Sequence, residues 1–244
     1  MAVVMDKSSL PSLFQAQWRS NPDPDALPFP RANPPFALTP TDWHQLLLSD
    51  RDFTPHSWTS LQHLIGSQQL EALKRWPSAL KAYLAWTGHV KSKYGGVTPY
   101  LLAQRLFWEP VVLADDDNDD DANKTGALVF DVHDSTPFAD SRDYAILRND
   151  WAYGVERGIV HVVVWLKQRL PVDEQGALSE QGKGMVEAFV KREFRERVGE
   201  GKGEEGSRVL WFKNTTDLHS VRGLEHVHVL LRGVDEGVLE RWMG

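Results

Sequence analysis

Hydrophobic periodicity divides the chain into a helical first part and a strand-rich second part. Between Trp58 and Arg75 apolar residues stand at Leu61, Leu64, Ile65, Leu70 and Leu73, the three-to-four spacing of one helix face. Leu80, Tyr83, Leu84 and Val90 mark another helix over 80–90, with Trp86 off their stripe. Pro77 separates these two runs, and KYGG stops the second. Thr41-Asp42 reads as a helix start ahead of WHQLLL, and 98–108 as a fourth, short helix. From residue 127 the pattern changes. ALVFDV (127–132), YAIL (144–147), IVHVVVW (159–165), RVLWF (208–212) and HVHVLL (226–231) predict five strands. The third is apolar almost throughout, which predicts a central position. One helix interrupts them over 179–198, where Val186, Val190, Phe194 and Val198 recur every four residues. Helices followed by strands predict an α+β fold: an antiparallel sheet of about five strands under an N-terminal helical cap.

The segments outside these elements complete the layout. Residues 1–40 are dense in proline and read as an extended arm, draped on the body through Phe14, Trp18, Phe29 and Phe36. Residues 41–244 form one domain: cap (41–110), acidic loop (115–125), then sheet and helix (126–244). DDDNDDD at 115–121 lacks the interspersed glycine and spaced glutamate of a calcium loop, and predicts a solvated, disordered segment. GEGKGEEG (199–206) reads as a flexible link.

Composition narrows the function classes. The 244 residues carry a formal charge of −7, so no basic footprint for nucleic acid is expected. No apolar run reaches spanning length, and the first residues lack a signal-peptide pattern, so no membrane partner is expected. Without cysteine there is no disulfide framework and no thiolate metal site, which fits a reducing compartment. Ten tryptophans are compatible with core packing or a stacking surface. Nothing in the pattern sets an oligomeric state.

The most specific chemical feature is Glu225-His226-Val227-His228-Val229. Alternation along a strand puts His226 and His228 on one face. Paired imidazoles suit nucleophilic attack on phosphorus, ligation of a divalent metal, or anion binding when protonated. A hydrogen-bonded structural pair is the alternative without chemistry. Other groups join them by position: His161 on the central strand, Lys167 at its end, Asn149 in the NDWAYG turn, and Lys213, Asn214, His219 and Ser220 after the fourth strand. Amide, ammonium, hydroxyl and imidazole groups are what a phosphate site requires. Trp151 or Tyr153 could stack a nucleobase. A metal reading would use His226, His228 and either His219 or His161, but no helical metal motif accompanies them. No cofactor is implied.

Two resemblances attach to these residues. KRWPSALKAYLAW, KYGG, ILRNDWAYGVERGIVHVVVWLK and VLWFKNTTDLHSVRGLEHVHVLL resemble the fungal N-acetylglucosamine-induced protein family across roughly residues 37–232. That resemblance implies a cytoplasmic protein linked to the response to amino sugars. The last 90 or so residues are remotely similar to the histidine-triad nucleotide hydrolases and transferases. GIVHVVVWLK keeps the His-to-Lys spacing of that superfamily, and Ser220-Val221 precedes the histidine pair. The similarity implies a histidine-triad-like sheet, His226 as nucleophile, and His228, Ser220 and Asn214 as contacts to phosphate or ribose. Leu224 replaces the first histidine of the triad, the Ser-to-His spacing is one residue longer, the glycine-rich loop is absent, and Leu166 replaces the proline before Lys167. The expected function is binding and cleavage of a nucleotide or nucleotide-sugar phosphate. The alternatives are a non-catalytic regulator of the N-acetylglucosamine response and a His-ligated metalloenzyme.

Overall fold

A computed structural model describes residues 10–21, 26–34, 38–111, 128–199, 206–214, 221 and 223–243. The acidic run at 115–121, Phe36, His219 and Ser220 lie outside these residues. The first element corrects the expectation of a purely extended arm. Residues Leu10–Arg19 form helix α1. Its single proline, Pro11, sits in the first turn, where a missing N–H costs no helical hydrogen bond. Proline density rises only beyond Asn21. Phe14, Trp18 and Phe29 do pack on the body.

The cap is built on helix α4 (Pro77–Tyr94), which α1, α2 (Pro40–Leu46) and α5 (Val97–Leu101) touch. Thr39 caps α2 through a reciprocal capping box with Asp42, two residues ahead of the expected start. Helix α3 (Trp58–Gly66) stops well short of Arg75, because Gly66 and Ser67 end it and Gln68 takes a positive φ of 56°. Helix α4 extends beyond its predicted span at both ends, with Pro77 in its first turn and Gly95 closing it at φ 83°. Its off-stripe Trp86 is 2% exposed, because α4 is covered on more than one side. Helix α5 runs on through a π turn at Leu102–Leu106.

The predicted strand over 127–132 does not join the main sheet. Strand β2 (Val129–Phe130) pairs with β1 (Pro110–Val111) in a separate antiparallel ribbon. Four strands form the main sheet in the order β3-β4-β6-β5, all antiparallel: β3 (Tyr144–Arg148), β4 (Ile159–Leu166), β5 (Val209–Phe212) and β6 (Glu225–Arg232). The apolar run of β4 is interior, as its composition predicts, and β6 is interior beside it. Helix α6 (Glu180–Val190), capped by Ser179, and α7 (Glu236–Met243), which the periodicity did not predict, cover one face. A strict four-residue repeat drifts around a 3.6-residue helix. The wider turn at Lys191–Arg195 accommodates this drift, and Phe194 is fully buried. The cap covers the other face. The architecture is therefore a mixed helix and sheet fold, and no described helix is long and apolar enough to cross a membrane.

Candidate functional site

Register defines the site. Val163 lies opposite His228 and Trp165 opposite His226, so the face of β4 and β6 that meets the cap presents His161, Val163, Trp165, His226 and His228. All three imidazoles are buried. His226 packs against Trp165 with ring centres 4.8 Å apart, and meets His228 nearly at right angles at 5.2 Å. His226 Nδ1 lies 2.9 Å from the Leu224 carbonyl oxygen. A carbonyl only accepts, so Nδ1 carries the proton and the lone pair is on Nε2.

A second chain of bonds runs through the other two histidines. The Tyr153 N–H donates to His161 Nδ1 at 3.4 Å, which leaves the proton of a neutral His161 on Nε2. That nitrogen stands 3.0 Å from His228 Nδ1 and donates to it. His228 Nε2 then donates toward the Asn214 amide, 3.3 Å away. Turning the Asn214 oxygen toward His228 completes the chain and gives Asn214 Oδ1 the partner it otherwise lacks. Asn149 closes the other end. Its N–H donates to the His161 carbonyl at 2.9 Å, its amide N–H donates toward His161 Nδ1 at 3.3 Å, and its Oδ1 accepts the Trp151 N–H at 2.9 Å. Burial, and secondarily the charge of Arg75, pushes His161 down to about 3 and keeps it neutral.

The opposite wall comes from the cap. The β3–β4 hairpin is bound to it by main-chain bonds from His56 to Gly154 and from Gly154 to Lys74, each 2.8 Å. A side chain at Gly154 would fall 2.4 Å from the Phe53 ring, so this approach requires glycine. The docking brings Arg75 across the hairpin, where its Nε donates to the Trp151 carbonyl at 3.0 Å and its guanidinium lies 4.8 Å over the Tyr83 ring. Arg105, in the π turn, pairs with Asp150 at 3.2 Å. Burial raises the Asp150 carboxyl, against the pull of Arg105. Arg75, Arg105, Arg148, Asn149, Asp150, His226 and His228 line one cavity of about 70 Å³, whose remaining wall is aromatic and aliphatic. That volume holds several waters or a small anion.

The structure therefore brings His226, His228, His161, Asn149, Asn214, Trp151 and Tyr153 together. It does not bring Lys167 or Lys213. Lys167 reaches Asp143 at 3.4 Å and the Asp131 carbonyl, and Lys213 pairs with Glu225 at 3.1 Å. Both ammonium groups balance buried carboxylates. Tyr153 stacks on His161 at 5.3 Å, and Trp151 is enclosed by Tyr83 and Trp86, so the proposed base-stacking surfaces are taken up by protein rings. Among the described residues, ligand atoms converge instead at His133, Asp140 and Asp143. Asp143 already accepts from the His133 and Asp134 backbone, and Asp140 from Arg142. Arg75 and Arg105 are the functional candidates that sequence reasoning missed. An arginine in a helical run carries no pattern to separate it from a solvated one.

Comparison with known proteins places the chain. N-acetylglucosamine-induced protein 1 of Candida albicans is 29% identical over 185 residues, covering 75% of this chain and 70% of that protein. The uncharacterized protein YPL067C of Saccharomyces cerevisiae is also 29% identical, over 71% of this chain and 77% of its own. The crystal structure of HTC1 superposes with a TM-score of 0.54 at 27% identity, covering 76% of this chain and 94% of that one. The model of a family described as "Protein of unknown function (DUF3605)" matches residues 57–232, from α3 to the end of β6, and the chain belongs to that family.

Proposed function

We propose that the protein binds the phosphate of a nucleotide or nucleotide sugar in this cavity and cleaves it in a histidine-triad-like reaction. The observation that carries the reading is the convergence of three arginines, two imidazoles and an amide on one small hollow, where the carboxylate, Asp150, is paired with Arg105. The guanidinium donors suit the geometry of phosphate oxygens. His226 Nε2 attacks phosphorus and forms a P–N bond while the bond to the leaving oxygen breaks. The leaving oxygen takes up a proton, and water then hydrolyses the phosphoramidate to regenerate His226. The Leu224 carbonyl holds the Nδ1 proton as charge builds on the ring. Arg75 and Arg105 offset the developing charge on the phosphate oxygens, the role that sequence reading gave to Lys167. The name of the Candida relative supports amino-sugar nucleotides as the first ligands to try.

Leu224 favours a second reading. It is fully buried at the place where a triad histidine would stand, which fits a binding protein that senses the ligand without cleaving it. Calorimetric titration with UDP-N-acetylglucosamine, N-acetylglucosamine phosphates and AMP, with product analysis, separates the two. Cleavage expected of the wild type falls to background in His226→Ala. Turnover that survives the substitution rules out the nucleophile. Binding with no product supports the sensor, and binding to none of the three overturns both.

A further inference from the structure

Two tryptophans that line the cavity carry indole N–H groups with no hydrogen-bond partner among the described residues. Trp86, from α4, and Trp151, from the β3–β4 hairpin, both line the cavity, and both are more than nine-tenths buried. The Nε1 of each is out of contact with solvent and is not hydrogen-bonded to any described residue. A buried donor left unmatched is a standing cost to the fold. Their rings touch each other at 5.2 Å, and Trp86 also meets Tyr100 nearly edge to face at 5.2 Å. A ring face is a poor substitute for an oxygen acceptor. Asp150, the carboxylate of the cavity, is already paired with Arg105 at 3.2 Å.

We propose that Trp86 and Trp151 are ligand-binding residues whose indole N–H groups donate to oxygens of the bound phosphate ligand. The inference rests on the phosphate reading of the cavity and extends it to the aromatic wall. An indole N–H donates and never accepts, so the pair selects acceptor oxygens and disfavours ligands that bring N–H or ammonium groups to that wall. The third unmatched indole among the described residues, Trp242, lies on the opposite side of the sheet beside Phe194, away from the cavity, and serves as an internal control.

The test uses the full chain labelled with ¹⁵N at its ten tryptophans and titrated with inorganic phosphate and with UDP-N-acetylglucosamine. The indole proton signals of Trp86 and Trp151 are expected to move downfield on saturation while that of Trp242 stays. Trp86→Phe and Trp151→Phe should each weaken affinity about tenfold. Trp242→Phe, which leaves a similar void, should not change it. If the wild type binds and the Trp86 and Trp151 signals stay where they are, the inference falls and the phosphate reading stands. If either variant fails to fold, the signal shifts alone decide. If the wild type binds neither probe, the phosphate reading itself is overturned.

Discussion

The two faces of the β4–β6 pair are made from alternate residues of the same two strands and are buried alike, yet they differ in kind. Val162, Val164, Leu166, Val227, Val229 and Leu231 meet α6 and α7 in an apolar layer. His161, Val163, Trp165, His226 and His228 meet the cap across imidazoles, a ring stack and a cavity. Close packing on the first face supplies stability, because apolar area leaves water. Imidazoles on the second face must be matched one by one, and each imperfect match subtracts from the total. Such a face persists where something other than stability selects it.

That contrast can be broken most severely from the apolar side. Val229→Asp would bury a carboxylate in the apolar layer between β6 and the covering helices, and no folded protein is expected by circular dichroism. Phe189→Ala empties the centre of the same layer, where the ring stacks on Phe138 at 4.2 Å, and should cost about 3–5 kcal/mol in denaturant melts. A loss under 1 kcal/mol would mean that stability does not reside there. The polar face should show itself through pH. His161 binds its proton less well folded than unfolded, so the unfolded state holds more protons between about 3 and 6.5. Stability therefore falls as pH drops through that window, by about 1.4 kcal/mol per unit once below the unfolded value. His161→Phe should flatten this slope, and an unchanged slope would place the acid sensitivity elsewhere. The smallest effect is expected at the edge of the cap. Thr39→Ala removes the capping box of α2 and should cost about 1 kcal/mol without changing phosphate affinity.

The sequence disclosed the two faces better than it disclosed the cavity. Period-two alternation in HVHVLL is enough to put His226 and His228 on one side, and the apolar run of β4 is enough to make it interior. Strand pairing across long gaps is not written locally, so the pairing of Val129–Phe130 with Pro110–Val111 was invisible. The site was half legible for a similar reason. Its histidines lie on strands with a strong period, whereas Arg75 and Arg105 reach it only because the hairpin at Gly154 docks against Phe53 and Lys74. Lys167 kept a suggestive spacing to His161, but spacing did not reveal Asp143, which takes up its charge.

The order β3-β4-β6-β5 also bears on how the molecule is made. Interior strand β6 leaves the ribosome only after β3, β4, α6 and β5 have emerged. Until β6 inserts, β4 presents an open, valine-rich edge to the nascent chain's surroundings. Translation products that stop before Glu225 should therefore be captured by chaperones or aggregate rather than persist as partly folded fragments.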